Sequence, residues 1–137
     1  KFHLVILLEL DEIKNKEIFE SINKYLTMRD NDKALAIVNG LLDKDPSNEE
    51  AWLYLGIVNR RLGKLGDAIK CFETATDLNS TLIEAWGLLT VTHIDMGNVK
   101  LAESVMEKAV EFNPLDEKIQ FYSDNLIRVY EKFGPFF

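Results

Sequence analysis

DKALAIVNGLLDKDP (32–46), GDAIKCFETATDLNS (66–80) and VKLAESVMEKAVEFNP (99–114) are three versions of one segment. Ala34, Ala68 and Ala102 stand 34 residues apart, and Pro46 and Pro114 stand two periods apart with Ser80 in the slot between them. The stretches ahead of these segments align at the same spacing: Trp52 with Trp86, Leu55 with Leu89, and Gly63 with Gly97. Self-similarity at a fixed period of roughly 20–50 residues is the signature of stacked repeats. Agreement at both ends of the period makes 34 residues the unit.

Each half of a unit reads as a helix. Over 49–62, Ala51, Trp52, Leu55, Val58, Asn59 and Leu62 recur at intervals of three and four. Gly63 supplies a left-handed stop, and Asp67 is expected to cap the next helix. Over 67–79, Ala68, Ile69, Phe72, Ala75, Thr76 and Leu78 form a second apolar stripe. Asn113-Pro114 closes the matching helix of the last unit, because a residue before proline avoids the helical region. A unit is therefore two antiparallel helices of about 14 residues, each on the order of 20 Å long. Ala68 and Ala75 let another helix approach closely, and Trp52 and Phe72 fill the space between the pair. Such a pair cannot bury its stripe alone, so neighbours stack and continue the core. The expectation is an all-α chain of seven or eight helices with no strands.

With Trp52, Leu55, Gly56, Ala68, Phe72 and Ala75 in place, unit 49–82 resembles a tetratricopeptide repeat. Asn59 stands where the family has tyrosine and Ser80 where it has proline. Unit 83–116 keeps Trp86, Leu89, Ala102, Ala109 and Pro114 and departs at Thr90, His93 and Met106. Unit 15–48 is weaker, with Tyr25, Ala34 and Pro46 fitting while Ile18, Ser21, Ile22, Val38 and Leu41 fill the other slots. The resemblance implies one domain over 1–137, a right-handed superhelical stack of antiparallel helix pairs. Residues 117–133 carry Ile119, Tyr122, Leu126, Val129, Tyr130 and Phe133 on one stripe, with Gly134-Pro135 as a stop. They read as a solvating last helix ahead of the tail 134–137. The first helix of a degenerate fourth unit is the alternative, with Gln120, Ser123 and Asp124 departing from the pattern. Residues 1–14 fall in register with a second helix two periods on, Leu4 and Leu7 taking the slots of Phe72 and Ala75. They read as the second helix of a truncated repeat, against a short strand or loose tail. A chain opening on Lys1 is on this reading a piece of a longer array.

Composition narrows the function. The chain is 47% hydrophobic, enough for a core, and carries a formal charge of −7 from 23 acidic and 16 basic residues. A net negative field repels phosphate backbones, so no nucleic acid is expected as partner. The longest apolar run, Leu4 to Leu8, is far short of the roughly 20 residues that span a bilayer, and Glu9, Asp11 and Glu12 follow it, unlike a signal peptide. With Cys71 as the single cysteine, no internal disulfide forms, and a soluble, cytoplasmic protein without membrane partner is expected. His3 and His93 have no Cys or His at metal-ligand spacing, so no metal is expected. His93 reads as packed in a core slot, and Cys71 as inert. Glu49-Glu50 and Asp116-Glu117 favour helix starts. Gly63 and Gly66 flank a turn with no phosphate-loop lysine after them. No cofactor and no enzyme activity are expected.

What remains is binding. In the family, slots two, five, nine and twelve of each first helix line the concave face. Here the resemblance places Lys16, Phe19, Asn23 and Leu26 there, then Glu50, Leu53, Ile57 and Arg60, then Glu84, Gly87, Val91 and Ile94. In the closing helix the slots fall on Lys118, Phe121, Asn125 and Arg128. The centre is apolar, and apolar residues off the core face call for a covering partner. One subgroup grips a peptide's terminal carboxylate with basic and amide side chains. Those slots carry Phe19, Asn23, Tyr54, Glu84 and Leu88 here, and only Asn23 fits. The expected function is a protein-interaction scaffold taking an apolar or amphipathic segment, with Arg60 and Arg61 drawing acidic flanks. The alternatives are self-association through exposed terminal helices and a spacer within a larger protein.

Overall fold

The intervals of three and four become helices throughout the computed structural model, which describes the backbone of residues 2–133 and the side chains of 2–126. Seven helices follow in order: α1 (Phe2–Thr27), α2 (Asn31–Lys44), α3 (Glu49–Arg61), α4 (Leu65–Leu78), α5 (Ile83–Asp95), α6 (Val99–Phe112) and α7 (Glu117–Phe133), with no strand among the described residues. Sequential helices pack on one another, and α3 also touches α5, as α5 touches α7. The odd-numbered helices thus form one layer and the even-numbered helices the other, an all-α solenoid.

The turn within each unit is set by one backbone position. Gly63 and Gly97 take φ of 77° and 83°, and Arg29, one period earlier, takes 59°. The amide after each reaches back to the last turn: Asp30 N to Tyr25 O (2.9 Å), Lys64 N to Asn59 O (2.8 Å), Asn98 N to His93 O (2.8 Å). This is the Schellman closure, which satisfies carbonyls left open at a helix end. Turns between units use side chains instead. Asn48 and Asp116 accept from the amides of Ala51 and Ile119 at 3.1 and 3.0 Å, capping α3 and α7. Asp67 is not a cap: α4 starts at Leu65 behind Lys64, so Asp67 lies inside the first turn.

A second repeated bond joins each unit to the next. The Trp52 indole donates to the Pro46 carbonyl (2.7 Å) and that of Trp86 to the Ser80 carbonyl (2.9 Å). At the same slot of α7, Gln120 Nε2 donates to the Pro114 carbonyl (3.2 Å). Gln120 therefore keeps the polar half of tryptophan's role without its bulk. The seam is also periodic. Slot three holds Ala51, Ala85 and Ile119, and slot ten holds Val58, Thr92 and Leu126, all buried. In the first unit those slots hold Glu17 and Lys24, both exposed.

The core is built by near-contact of backbone and ring. Phe72 is fully buried, and a Cβ added at Gly56 would lie 2.4–2.9 Å from its ring carbons. Glycine at slot eight is thus the space that the phenylalanine occupies. In the other units larger residues at slot eight, Ile22 and Thr90, accompany smaller or more pliable ones at slot 24, Val38 and Met106, all buried. Volume is conserved across the pair.

The N-terminal expectation needs correction. Residues 2–27 form one helix, with no turn separating 1–14 from 15–48. No glycine, proline or serine stands between Asp11 and Ser21, so nothing there breaks the helix. Residues 2–17 are exposed throughout. The stop at Gly134-Pro135 and the tail lie outside the described residues.

Two substitutions test this account by denaturant unfolding. Gly56→Ala should destabilise by roughly 1–3 kcal/mol through overpacking on Phe72, although alanine is the better helix former by about 1 kcal/mol. Arg29→Gly should stabilise by roughly 0.5–1 kcal/mol, because it relieves a left-handed conformation that costs a side chain about 1–2 kcal/mol.

Candidate functional site

The odd-numbered helices present the groove, and its two ends differ in chemistry. At the N-terminal end a cavity of about 620 Å³ is lined by Lys16, Phe19, Asn23 and Glu50 together with Glu12, Glu20, Asp45 and Glu49. Phe19 stacks on Tyr54 with ring centroids 5.3 Å apart, and Asn23 Nδ2 donates to the Tyr54 hydroxyl at 3.0 Å. Desolvation, then the neighbouring charges of Glu49 and Glu84, pushes the Glu50 carboxyl above its ordinary range. This end is acidic and short of cations.

Toward the C-terminal end, α3, α5 and α7 enclose an apolar cavity of about 490 Å³. Val91 and Ile94 line it, with Glu84, Gly87, Asn125 and Arg60. Leu88, Thr90, Met106, Tyr122 and Leu126 complete the wall and were not expected there. The signal that could have found them is Gly87. A helix-interior glycine at slot five admits the Tyr122 ring, whose Cε2 lies 3.0 Å from where a Cβ would stand. Val91 is 41% exposed, whereas Leu89, two residues earlier, is 3% exposed. Phe121 is 63% exposed on α7.

Several expected groove residues serve packing instead. Leu26 and Leu53 are 5% and 7% exposed and belong to core clusters. Ile57 is half-buried and packs against both of those clusters. The reason is a contact ladder in which slot five of one unit meets slot six of the next: Phe19 with Tyr54, Leu53 in one cluster with Leu88, Gly87 with Tyr122. The arginines are engaged too. Arg60 Nη2 pairs with Asp95 Oδ2 at 2.7 Å, and Arg61 Nη1 donates to the Leu26 carbonyl at 2.6 Å, closing the end of α1. Arg60 Nε is buried and has no acceptor among the described residues. The Arg128 side chain lies outside the described residues.

Burial raises the Cys71 thiol above its ordinary pKa, opposed by a hydrogen bond from Asn59 at 3.6 Å, with Asp67 raising it further. A thiol held protonated is a poor nucleophile. His93 is buried within α5, in a core slot. Among the described residues no three His, Cys, Asp or Glu are grouped to hold a metal, and no helix is long and apolar enough to cross a membrane.

Known proteins share this architecture. The tetratricopeptide-repeat family pattern matches residues 49–82 and again 83–114. Protein NPG1 of Arabidopsis thaliana is 38% identical over 48 residues, covering 35% of this chain and 7% of that protein. The chain spans a tenth or less of the length of the curated relatives it matches. Among solved structures, PcrH in complex with the chaperone-binding region of PopD superposes with a TM-score of 0.73 at 16% identity, covering 88% of this chain and 91% of that one. The first such domain of Spaghetti (RPAP3), bound to the HSP90 peptide SRMEEVD, gives 0.69 at 19% identity, covering 83% and 93%. These likenesses speak for the fold. With its 34-residue period, its matched slots and its two matched units, the chain belongs to the tetratricopeptide-repeat family.

Proposed function

We propose that the chain is a non-catalytic scaffold that binds an amphipathic helical segment of another protein in its concave groove. Proteins of the same fold hold peptide segments, PcrH with PopD and RPAP3 with an HSP90 peptide. The observation that carries the finer reading is the apolar cavity between α5 and α7, open to solvent at Val91. An apolar side chain seated against Leu88, Val91 and Ile94 leaves water at about 25 cal/mol per Å² buried. The Arg60 guanidinium on the same wall has its charge matched by Asp95, so it offers the partner no free cation.

Charge sets the flank of the partner. The expectation that Arg60 and Arg61 draw acidic residues gives way, because both are engaged within the fold. Glu12, Glu20, Glu49 and Glu50 at the other end favour a basic flank instead. An acidic terminal peptide would meet like charge there. The single buried thiol, with no disulfide, suits a cytoplasmic setting.

Calorimetry with two synthetic peptides tests the proposal: a helical amphipath with an apolar stripe and a lysine-rich flank, and the acidic SRMEEVD. The first should bind and the second should not. Val91→Glu should keep the melting temperature, yet weaken the amphipath tenfold or more, roughly, because a charge would be buried in the complex. Leu89→Glu should unfold its repeat. Tight binding of SRMEEVD, or unchanged amphipath binding by Val91→Glu, would overturn the reading.

A further inference from the structure

The turn that closes α1 holds a residue that works against the fold. Arg29 stands at slot fifteen with φ of 59°, where the next two units carry Gly63 and Gly97. A side chain takes that left-handed conformation only at a cost in stability, so an arginine there calls for a reason beyond folding. Arg29 lines a cavity of about 430 Å³ at the corner between the first two units, together with Leu26, Thr27, Asn31 and Arg61. Both arginines are exposed, so the cavity opens to solvent between them.

Nothing in the wall matches the charge of this pair. No carboxylate lines the cavity. Among the described residues the ion pairs are Lys33 with Asp30, Arg60 with Asp95 and Lys118 with Glu84, so neither Arg29 nor Arg61 is neutralised. Asp30, next to Arg29 in the chain, is turned to Lys33, accepting from its amide at 3.2 Å and pairing with its ammonium at 3.6 Å. Arg61 is anchored by Nη1 on the Leu26 carbonyl at 2.6 Å, which leaves Nη2 and Nε without an acceptor among the described residues. Two like charges on one cavity repel until an anion enters it. Asn31 Oδ1, on the same wall, is buried and has no donor among the described residues. Turned over, that amide donates through Nδ2 from the same place. One period on, the equivalent corner carries Gly63 and Asp95 in place of Arg29 and Arg61, so the pair of cations is a feature of this corner and not of the repeat.

We infer that the cavity between Arg29 and Arg61 binds a phosphoryl group carried on a side chain of another protein. A phosphoserine or phosphothreonine brings a charge of about −1.5 to −2 and three acceptor oxygens. Two guanidinium forks match that charge, whereas a carboxylate satisfies only one of them. The Asn31 amide supplies a third donor. A long polyanion is disfavoured, because the chain's formal charge of −7 repels it and this corner offers two cations for a whole run of phosphates. None of the five lining residues borders either cavity of the groove, so the site stands apart from the groove reading and does not depend on it.

NMR titration of the isotope-labelled whole chain tests the inference. The probes are a short uncharged peptide carrying one phosphoserine, its serine and glutamate counterparts, inorganic phosphate and oligothymidylate. The phosphopeptide should shift the amides of Arg29, Asn31 and Arg61 saturably and bind at least as tightly as inorganic phosphate. The serine and glutamate peptides should bind roughly tenfold more weakly or not at all. Arg29→Gly should melt higher than the unsubstituted chain yet bind the phosphopeptide roughly tenfold more weakly or worse, a combination that a purely structural arginine does not give. Absence of a saturable shift, equal binding of the glutamate peptide, or unchanged affinity in Arg29→Gly overturns the inference. So does tighter binding of inorganic phosphate, which makes the corner a free-anion site, or of oligothymidylate, which assigns it to a nucleic-acid backbone. A lower melting temperature for Arg29→Gly removes the strain from which the inference starts, and with it the inference.

Discussion

Close approach of helix backbones is the constraint on which the rest of this molecule depends. A 34-residue unit folds only if its two helices, and then the next unit's first helix, come near enough to share side chains. Small residues at fixed slots permit that approach: Ala34, Ala68 and Ala102 on the second helices, Ala51 and Ala85 on the first, all fully buried. Gly56 carries it furthest, because the Phe72 ring sits where any side chain would be. From the seam follow the two layers, and from the layers follows a surface lined chiefly by first helices.

The same spacing explains why stability and recognition compete for neighbouring slots. Where slot five holds a side chain, it is drawn into the seam, as Phe19 is against Tyr54 and Leu53 in the cluster with Leu88. Where slot five is Gly87, the next unit's tyrosine moves into the vacant position and the wall beside it is left hollow. The groove's binding capacity is thus concentrated in its C-terminal half by one missing side chain. The polar N-terminal half is already tied by Phe19, Asn23 and Tyr54.

The period, the helices and the glycine turns could be read from the residues because they depend on local chemistry that recurs. Trp52 and Trp86, Gly63 and Gly97, and the alanines each report a position's requirement twice or more. The groove was legible only in part. Val91 and Ile94 line the C-terminal cavity, whereas Ile57 and Leu26, at the same slots nine and twelve, are packed, as is Leu53 at slot five. Slot numbering says which way a side chain starts out from its helix. Whether a neighbour then covers it depends on residues a full period away, as Ala85 and Leu88 cluster with Leu53. The run from Leu4 to Leu10 misled for a related reason. Its register matches a second helix, but a repeat also needs a break, and Glu12-Ile13-Lys14-Asn15 contains no residue that stops a helix.

A linear array makes such local exceptions affordable. Each unit contacts only its neighbours, so a departure at one slot is answered within one period rather than across the fold. Thr90 in place of glycine is met by Met106 in place of phenylalanine, and Gln120 in place of tryptophan still donates to the turn behind it. The first unit shows the limit of that freedom. Its slots three and ten carry Glu17 and Lys24, both exposed, where the later units bury small or apolar side chains. The polar front of α1 and the hollow beside Gly87 are therefore the same kind of event at opposite ends. At each a seam position has given up packing, and each leaves a surface whose chemistry is set by what the missing contact exposes.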